Sequence, residues 1–203
     1  GRALQEAKGL GWATIEGWWE WEVPGMESSL NFVTAPWPSV QHEIRESIRR
    51  RELNAVEDRR PRLFGGLGAS AHKPSILTSI KNCKTELEKT LLTQVLTGAI
   101  WTAVRAHKRT LRSTPFCPYC EKTNTTQEPE TEFHLLWECP AWKQVRDPRL
   151  PELITAAHHL SIPVMPAAWP PCLKLTGIMP SSLCEGAPSN KIIFSVPYCM
   201  TCF

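Results

Sequence analysis

Cys117, Cys120, His134 and Cys139 follow one another with the spacing Cys-x2-Cys-x13-His-x4-Cys, inside the stretch FCPYCEKTNTTQEPETEFHLLWECPAW. Thiolate sulfur and imidazole nitrogen are the donors a tetrahedral zinc ion takes, and a CxxC turn supplies two of them from one tight knuckle. Pro118 stiffens that turn by fixing its own φ. The run ETEFHLLWEC reads as a short helix starting at Thr131. His134 falls in its first turn and Cys139 just past its last, where Pro140 stops it. The polar insert EKTNTTQEPE closes the loop. Four donors with no evident fifth describe a closed structural site, not one with an open position for water. Binding and folding are then coupled, because the ligands must be deprotonated and gathered.

The chain has eight cysteines, and in a secreted protein an even number suggests disulfides. The first residues, GRALQEAKGLGWATIEGWWEWEVPG, lack the basic, apolar and cleavage regions of a signal peptide, so Zn2+ is the better reading. A second CxxC, Cys199 with Cys202, stands at the end of the chain. Its spacings to Cys172 and Cys184 are loose, and unpaired thiols in a poorly ordered tail are the favoured reading there. The start at Gly rather than Met suggests a piece of something longer.

The elements that must carry the site are mainly helical. Val40, Ile44, Ile48 and Leu53 mark an amphipathic helix from about Ser39 to Glu57. Its arginines (Arg45, Arg49, Arg50, Arg51) alternate with acids, so solvated pairing and phosphate contact are equally good accounts of that face. LFGGLGASAHKPS is a loop without the ending of a phosphate loop. Leu87, Leu91, Leu92, Val95, Leu96, Ile100, Ala103 and Val104 form the stripe of a second helix over about Lys84–Leu111, with Gly98 inside it. That helix ends in VRAHKRTLR, where Arg105, His107, Lys108, Arg109 and Arg112 meet no acid. Cations suit a helix C-terminus, but this run exceeds what capping needs and reads as a nucleic-acid-facing patch, with Tyr119 beside it as a stacking residue. Trp18, Trp19 and Trp21 fit a packing cluster better than a ligand surface. A short helix over about Pro151–Leu160 precedes a proline-rich tail. The expected architecture is mainly α: two long amphipathic helices leading into a small zinc knuckle, between irregular Trp-rich and Pro/Cys-rich flanks. Its segments are 1–37 (lead-in), 38–112 (helical), 113–145 (CCHC module) and 146–203 (short helix and tail).

Two features narrow the function. A net charge of +3 is too mild by itself to demand a nucleic acid, and no run of about 18 apolar residues would span a membrane. Two-metal polymerase and nuclease chemistry needs clustered carboxylates, yet Asp58 and Asp147 are the sole aspartates. The expectation is a chain without catalytic residues of its own, intracellular (nuclear or cytoplasmic) and not secreted.

LLTQVLTGAIWTAVRAHKRTLRSTPFCPYC, followed by ETEFHLLWECPAW, resembles the C-terminal part of non-LTR retrotransposon polyproteins. There a helical segment after the reverse transcriptase leads into a CCHC zinc-binding region of the pattern CPxC, then H-L-L-x-x-C-P. The resemblance covers about 37–169, with its specific motifs within about 92–142. It implies Cys117, Cys120, His134 and Cys139 as zinc ligands, a role in binding template RNA or target DNA, and the upstream reverse transcriptase domain as a partner. The chain departs from the family in having no YxDD segment and no RNase H-like acids, and in its tail after Ser182. The leading function is a zinc-stabilised nucleic-acid-binding module; the alternatives are a structural or protein-interaction module clipped by zinc that docks on a missing polymerase domain, or an inert retroelement remnant.

Overall fold

The computed structural model describes residues 2–68, 70–123, 127–159, 163 and 165–184. The chain is mainly α with one small sheet, and it divides into two compact units, Gly1–Arg59 and Arg60–Phe203. The division falls after the first long helix instead of before it, because that helix packs on Trp12 and Trp21 of the lead-in; Trp18 and Trp19, expected in the same packing cluster, are exposed. Among the described residues, no helix is long and apolar enough to cross a membrane.

In the first unit, the expected irregular lead-in is a folded element. Helix α1 (Arg2–Gly9) precedes three antiparallel strands, β1 (Ala13–Glu16), β2 (Glu20–Glu22) and β3 (Leu30–Asn31), in the order 1-2-3. Strands of two to four residues are too short to show a period-2 pattern, so they escape a reading based on alternation. Burial holds them: Trp12, Trp21, Val23, Leu30 and Val40 form the core, and the rings of Trp12 and Trp21 meet edge-on at 6.2 Å. Helix α2 (Trp37–Arg59) contains the span expected from the sequence. It is anchored where the Trp12 indole N–H donates to the buried Ser47 hydroxyl at 2.8 Å. Two of the four arginines are occupied, Arg49 by Glu46 and Arg50 by Glu43 and the Pro24 carbonyl, while Arg45 and Arg51 are exposed.

In the second unit, the single helix expected over Lys84–Leu111 is two helices, α5 (Glu86–Leu96) and α6 (Ala103–Lys108), following the short α3 (Pro61–Phe64) and α4 (Lys73–Lys81). Thr85 opens α5 by accepting from the Glu88 N–H, and Glu88 reaches back to the Lys84 N–H, a reciprocal cap. The break comes at Gly98, whose φ of +60° is left-handed backbone. Thr102 restarts the chain by accepting from the Arg105 N–H. A Cβ on Gly98 would lie 2.9 Å from Leu63 Cδ1, so Gly98→Ala meets both backbone strain and a clash. We expect it to destabilise this unit by about 1–3 kcal/mol in urea unfolding, without altering the cysteine cluster.

The proline-rich tail is more ordered than its composition suggests. After α7 (Pro118–Lys122), α8 (Lys143–Arg146) and α9 (Leu150–His159), Pro171 occupies the first turn of α10 (Pro171–Thr176), where a missing N–H costs nothing. This helix buries Cys172, Leu173, Leu175 and Thr176 and packs against α3. The Cys172 N–H donates to the Gly65 carbonyl at 3.2 Å, and the His72 N–H to the Met179 carbonyl at 2.7 Å. Ala157, Trp169, Leu173 and Met179 make the local core, with Trp137 packed against it. Cys199 and Cys202 lie outside the described residues.

Candidate metal centre and the basic surface beside it

Two short segments bring the four donors together. Cys117 precedes α7, with Pro118 at its first position, so Cys120 sits one turn on and faces the same way. The Cys117 N–H donates to the Glu128 carbonyl at 2.8 Å, and the Glu130 N–H to the Pro115 carbonyl at 3.0 Å, which closes the insert into a loop. Thr131 then starts the second segment by accepting from the His134 N–H at 3.0 Å.

That segment is not a plain α-helix. His134–Glu138 is a π-helical turn, in which the Cys139 N–H donates to the His134 carbonyl at 2.7 Å. The wider turn has a geometric consequence. Five residues of α-helix rotate a side chain by about 140° away from its start, whereas five residues closed by one π-type bond leave it roughly 50° away. The bulge therefore sets His134 and Cys139 on one side. Pro140 follows at once and ends the element in a 3-10 turn.

The four ligand atoms lie within 4.8 Å of one another and all four residues are buried. The sulfurs of Cys117 and Cys139 are 3.8 Å apart and those of Cys120 and Cys139 3.7 Å, while His134 Nε2 is 3.4 Å from the Cys120 sulfur. These residues could hold a metal ion. Burial pushes the Cys139 thiol up to about 12 and raises that of Cys117. Backbone N–H groups partly oppose this: those of Cys120 and Tyr119 point at the Cys117 sulfur, and that of Ala141 at the Cys139 sulfur. Burial lowers the pKa of His134, which keeps its imidazole neutral and able to donate a lone pair. The set is thus arranged for a cation that displaces thiol protons and takes up the resulting charge.

The acids just before His134 position the centre, and spacing alone did not mark them. Glu130 is buried and its carboxylate accepts the Ala103 N–H at the start of α6. Burial raises its pKa, the Ala103 N–H and Arg112 acting in the other direction. Glu132, also buried, pairs with Arg105 Nε at 2.7 Å and stands 3.8 Å from Arg62. Leu135 packs with Val95, Ile100 and Trp142, so α5 and the ligand-bearing turn share one core. The signal that could have found the acids is the run E-P-E-T-E itself, which is unusually acidic beside the basic helix that it must fold against.

The residues expected to meet nucleic acid divide into two groups. Arg105 is committed internally: besides Glu132, it donates to the Gly98 and Ile100 carbonyls. Arg112 is half-buried and lies 3.6 Å from Glu121. Tyr119 packs edge-on against Trp142 at 4.8 Å beside the cysteines, and burial raises its pKa. His107, Lys108 and Arg109 are exposed, and His107 Nδ1 donates to the Arg112 carbonyl at 3.1 Å. Trp137 faces the tail, where its indole N–H donates to the Lys174 carbonyl at 2.7 Å. No family model, no curated protein and no solved structure matches this chain.

Proposed function

We propose that the chain is a zinc-stabilised nucleic-acid-binding module of a retrotransposon-derived polyprotein, without catalytic residues of its own. The observation that carries the reading is the closed, buried set of three sulfurs and one imidazole nitrogen next to the exposed cations of α6. Zinc at tetrahedral angles, with bonds of about 2.3 Å to sulfur and about 2.0 Å to nitrogen, separates sulfurs by about 3.8 Å and sulfur from nitrogen by about 3.5 Å. The spacings of 3.8, 3.7 and 3.4 Å support that ion. With all four corners taken by protein, the ion has a structural role: it clamps the loop and π-turn against α6 and so fixes the surface that carries Lys108 and Arg109. The motifs around the ligands support the retroelement origin, with template RNA or target DNA as the partner.

A titration of labelled RNA and duplex DNA against the zinc-loaded protein at several salt concentrations tests this. Two phosphate contacts should give a slope of log K on log salt near −1.4 to −1.8. Binding that is absent, or indifferent to salt, would falsify the reading.

A second reading rests on the ion pairs of Arg105 and Arg112, which leave fewer cations for phosphate than the sequence suggests. In it, zinc clips a domain that docks on a polymerase. Lys108→Glu with Arg109→Glu separates the two: nucleic-acid binding that survives the charge reversal favours docking.

A further inference from the structure

Gly98, by ending α5 early, sends residues 99–102 out of the helix and opens a cavity of about 530 Å³ lined by Arg60, Gly98, Ala99, Trp101, Arg105, Lys108 and Arg109. Its volume falls within the range of about 300–1,000 Å³ typical of small-ligand sites. Two guanidinium groups converge on one oxygen in its wall. Arg60 Nη2 and Arg105 Nη1 both donate to the Gly98 carbonyl, at 2.8 and 2.6 Å, and Arg60 also donates to the Thr97 carbonyl at 3.1 Å. The acid facing this group is Glu132, which pairs with Arg105 and also faces Arg62. No carboxylate lines the cavity itself. Lys108 and Arg109 stand at its rim in no ion pair among the described residues. An indole completes the lining: Trp101 is 59% exposed, and the Arg109 guanidinium stands 5.7 Å from its ring centre.

An exposed tryptophan in a cavity whose charged lining residues are all cations suits a ligand with one flat aromatic face and one anionic group. We propose that this cavity holds one unpaired nucleotide of a single-stranded nucleic acid, with its base stacked on Trp101 and its phosphate on Lys108 and Arg109. The inference rests on the nucleic-acid-binding reading and narrows it to single strands, since bases within a duplex are stacked on each other and cannot reach the indole. Arg60 and Arg105 take no part in stacking. They hold the wall in shape through the carbonyls they bind. Trp101 is not among the residues that charge and spacing singled out, because in an unbroken helix it would be one more helical side chain. Its place at a cavity mouth follows from the break at Gly98.

The test uses the full zinc-loaded chain and fluorescence anisotropy with three 12-nucleotide probes: a labelled oligo-U strand, a duplex of the same length, and an abasic phosphodiester strand. Trp101→Ala should weaken oligo-U binding by about 5- to 150-fold, the range for loss of one stacked base, and Trp101→Phe should restore part of it. The duplex should bind both variants as it binds the parent protein, and the abasic strand should bind the parent about as weakly as oligo-U binds the alanine variant. Far-ultraviolet circular dichroism and the midpoint of urea unfolding check that the variants are folded. Salt-dependent binding of oligo-U that is untouched by Trp101→Ala would overturn the nucleotide pocket and leave the broader reading standing. No salt-dependent binding to any of the three probes would remove both.

Discussion

Chelation of the bound ion, or Cys139→Ser, is expected to unfold the segment from Pro115 to Trp142 and to expose the hydrophobic groups that rest on it. The three sulfurs and His134 are buried side by side; Leu135 joins the π-turn to Val95 and Ile100, but the apolar cluster that ties the knuckle of Cys117 and Cys120 to that turn is small, consisting of Tyr119, Ala141 and Trp142. Structural zinc contributes about 10–16 kcal/mol in small zinc-binding peptides, as much as the whole stability of an ordinary domain of about 5–15 kcal/mol. Circular dichroism in the near ultraviolet, recorded with and without chelator, should lose the signal of Trp142 and Tyr119, while thiol titration should count three newly reactive cysteines. The affinity should depend on pH in a definite direction. Burial in the folded cluster holds the thiols of Cys117 and Cys139 above their ordinary values, so each gives up its proton to the solvent only when an ion takes its place. The apparent affinity should therefore fall as pH falls, by up to about three decades per pH unit for three thiols. Competition against a chelator of known affinity between pH 6 and 8 measures the slope. A flat profile would mean that the cysteines do not ligate as thiolates.

Arg105→Ala should be the most damaging substitution outside the ligands. It removes the close partner of the buried Glu132 and leaves Arg62 at 3.8 Å as the remaining cation. It also strips donors from the Gly98 and Ile100 carbonyls at the break between α5 and α6. Breaking a buried pair by deleting one member costs about 3–5 kcal/mol, because the other charge stays buried without compensation. Arg105 is a quarter exposed, which places the expected loss toward the lower end of that range. The double variant Arg105→Ala with Glu132→Gln should recover a large part of the loss, since neither charge then remains. Urea unfolding of the two single variants and the double variant gives the coupling directly. Additive losses would show that the pair is not what joins α6 to the metal centre. The same experiment guards the interpretation of binding data: weaker nucleic-acid binding by an Arg105 variant reports unfolding first, whereas Lys108 and Arg109 report phosphate contact.

The cluster of Cys117, Cys120, His134 and Cys139, which could hold a metal ion, was legible in the sequence because chemistry restricts such sets severely. Few residue types bind a soft divalent ion, and CxxC followed by HxxxxC leaves little freedom in which residues converge. The cap at Thr131 was legible for the same local reason: it acts on the N–H of His134, three residues on. The helix Trp37–Arg59 was likewise visible in its apolar spacing.

What required the tertiary structure was every feature in which distant segments choose between locally reasonable alternatives. The apolar stripe from Leu87 to Val104 continues in register across Gly98, so periodicity alone favours one helix. The contact with Leu63 and the two arginines on the Gly98 carbonyl decide for a break. Arg105 and Arg109 read alike in a basic run, yet one is held by a buried glutamate 27 residues on and the other reaches solvent beside Trp101. The strands of the lead-in are too short for an alternating pattern and exist because Trp12 and Trp21 need a common core with α2. The sequence by itself thus determined which atoms can bind a cation and that a long amphipathic helix covers 39–57, both matters of residue chemistry at short range. The fold decided which cations are consumed by internal carboxylates and which aromatic ring is left at a cavity mouth, because burial and ion pairing depend on neighbours that lie far off along the chain.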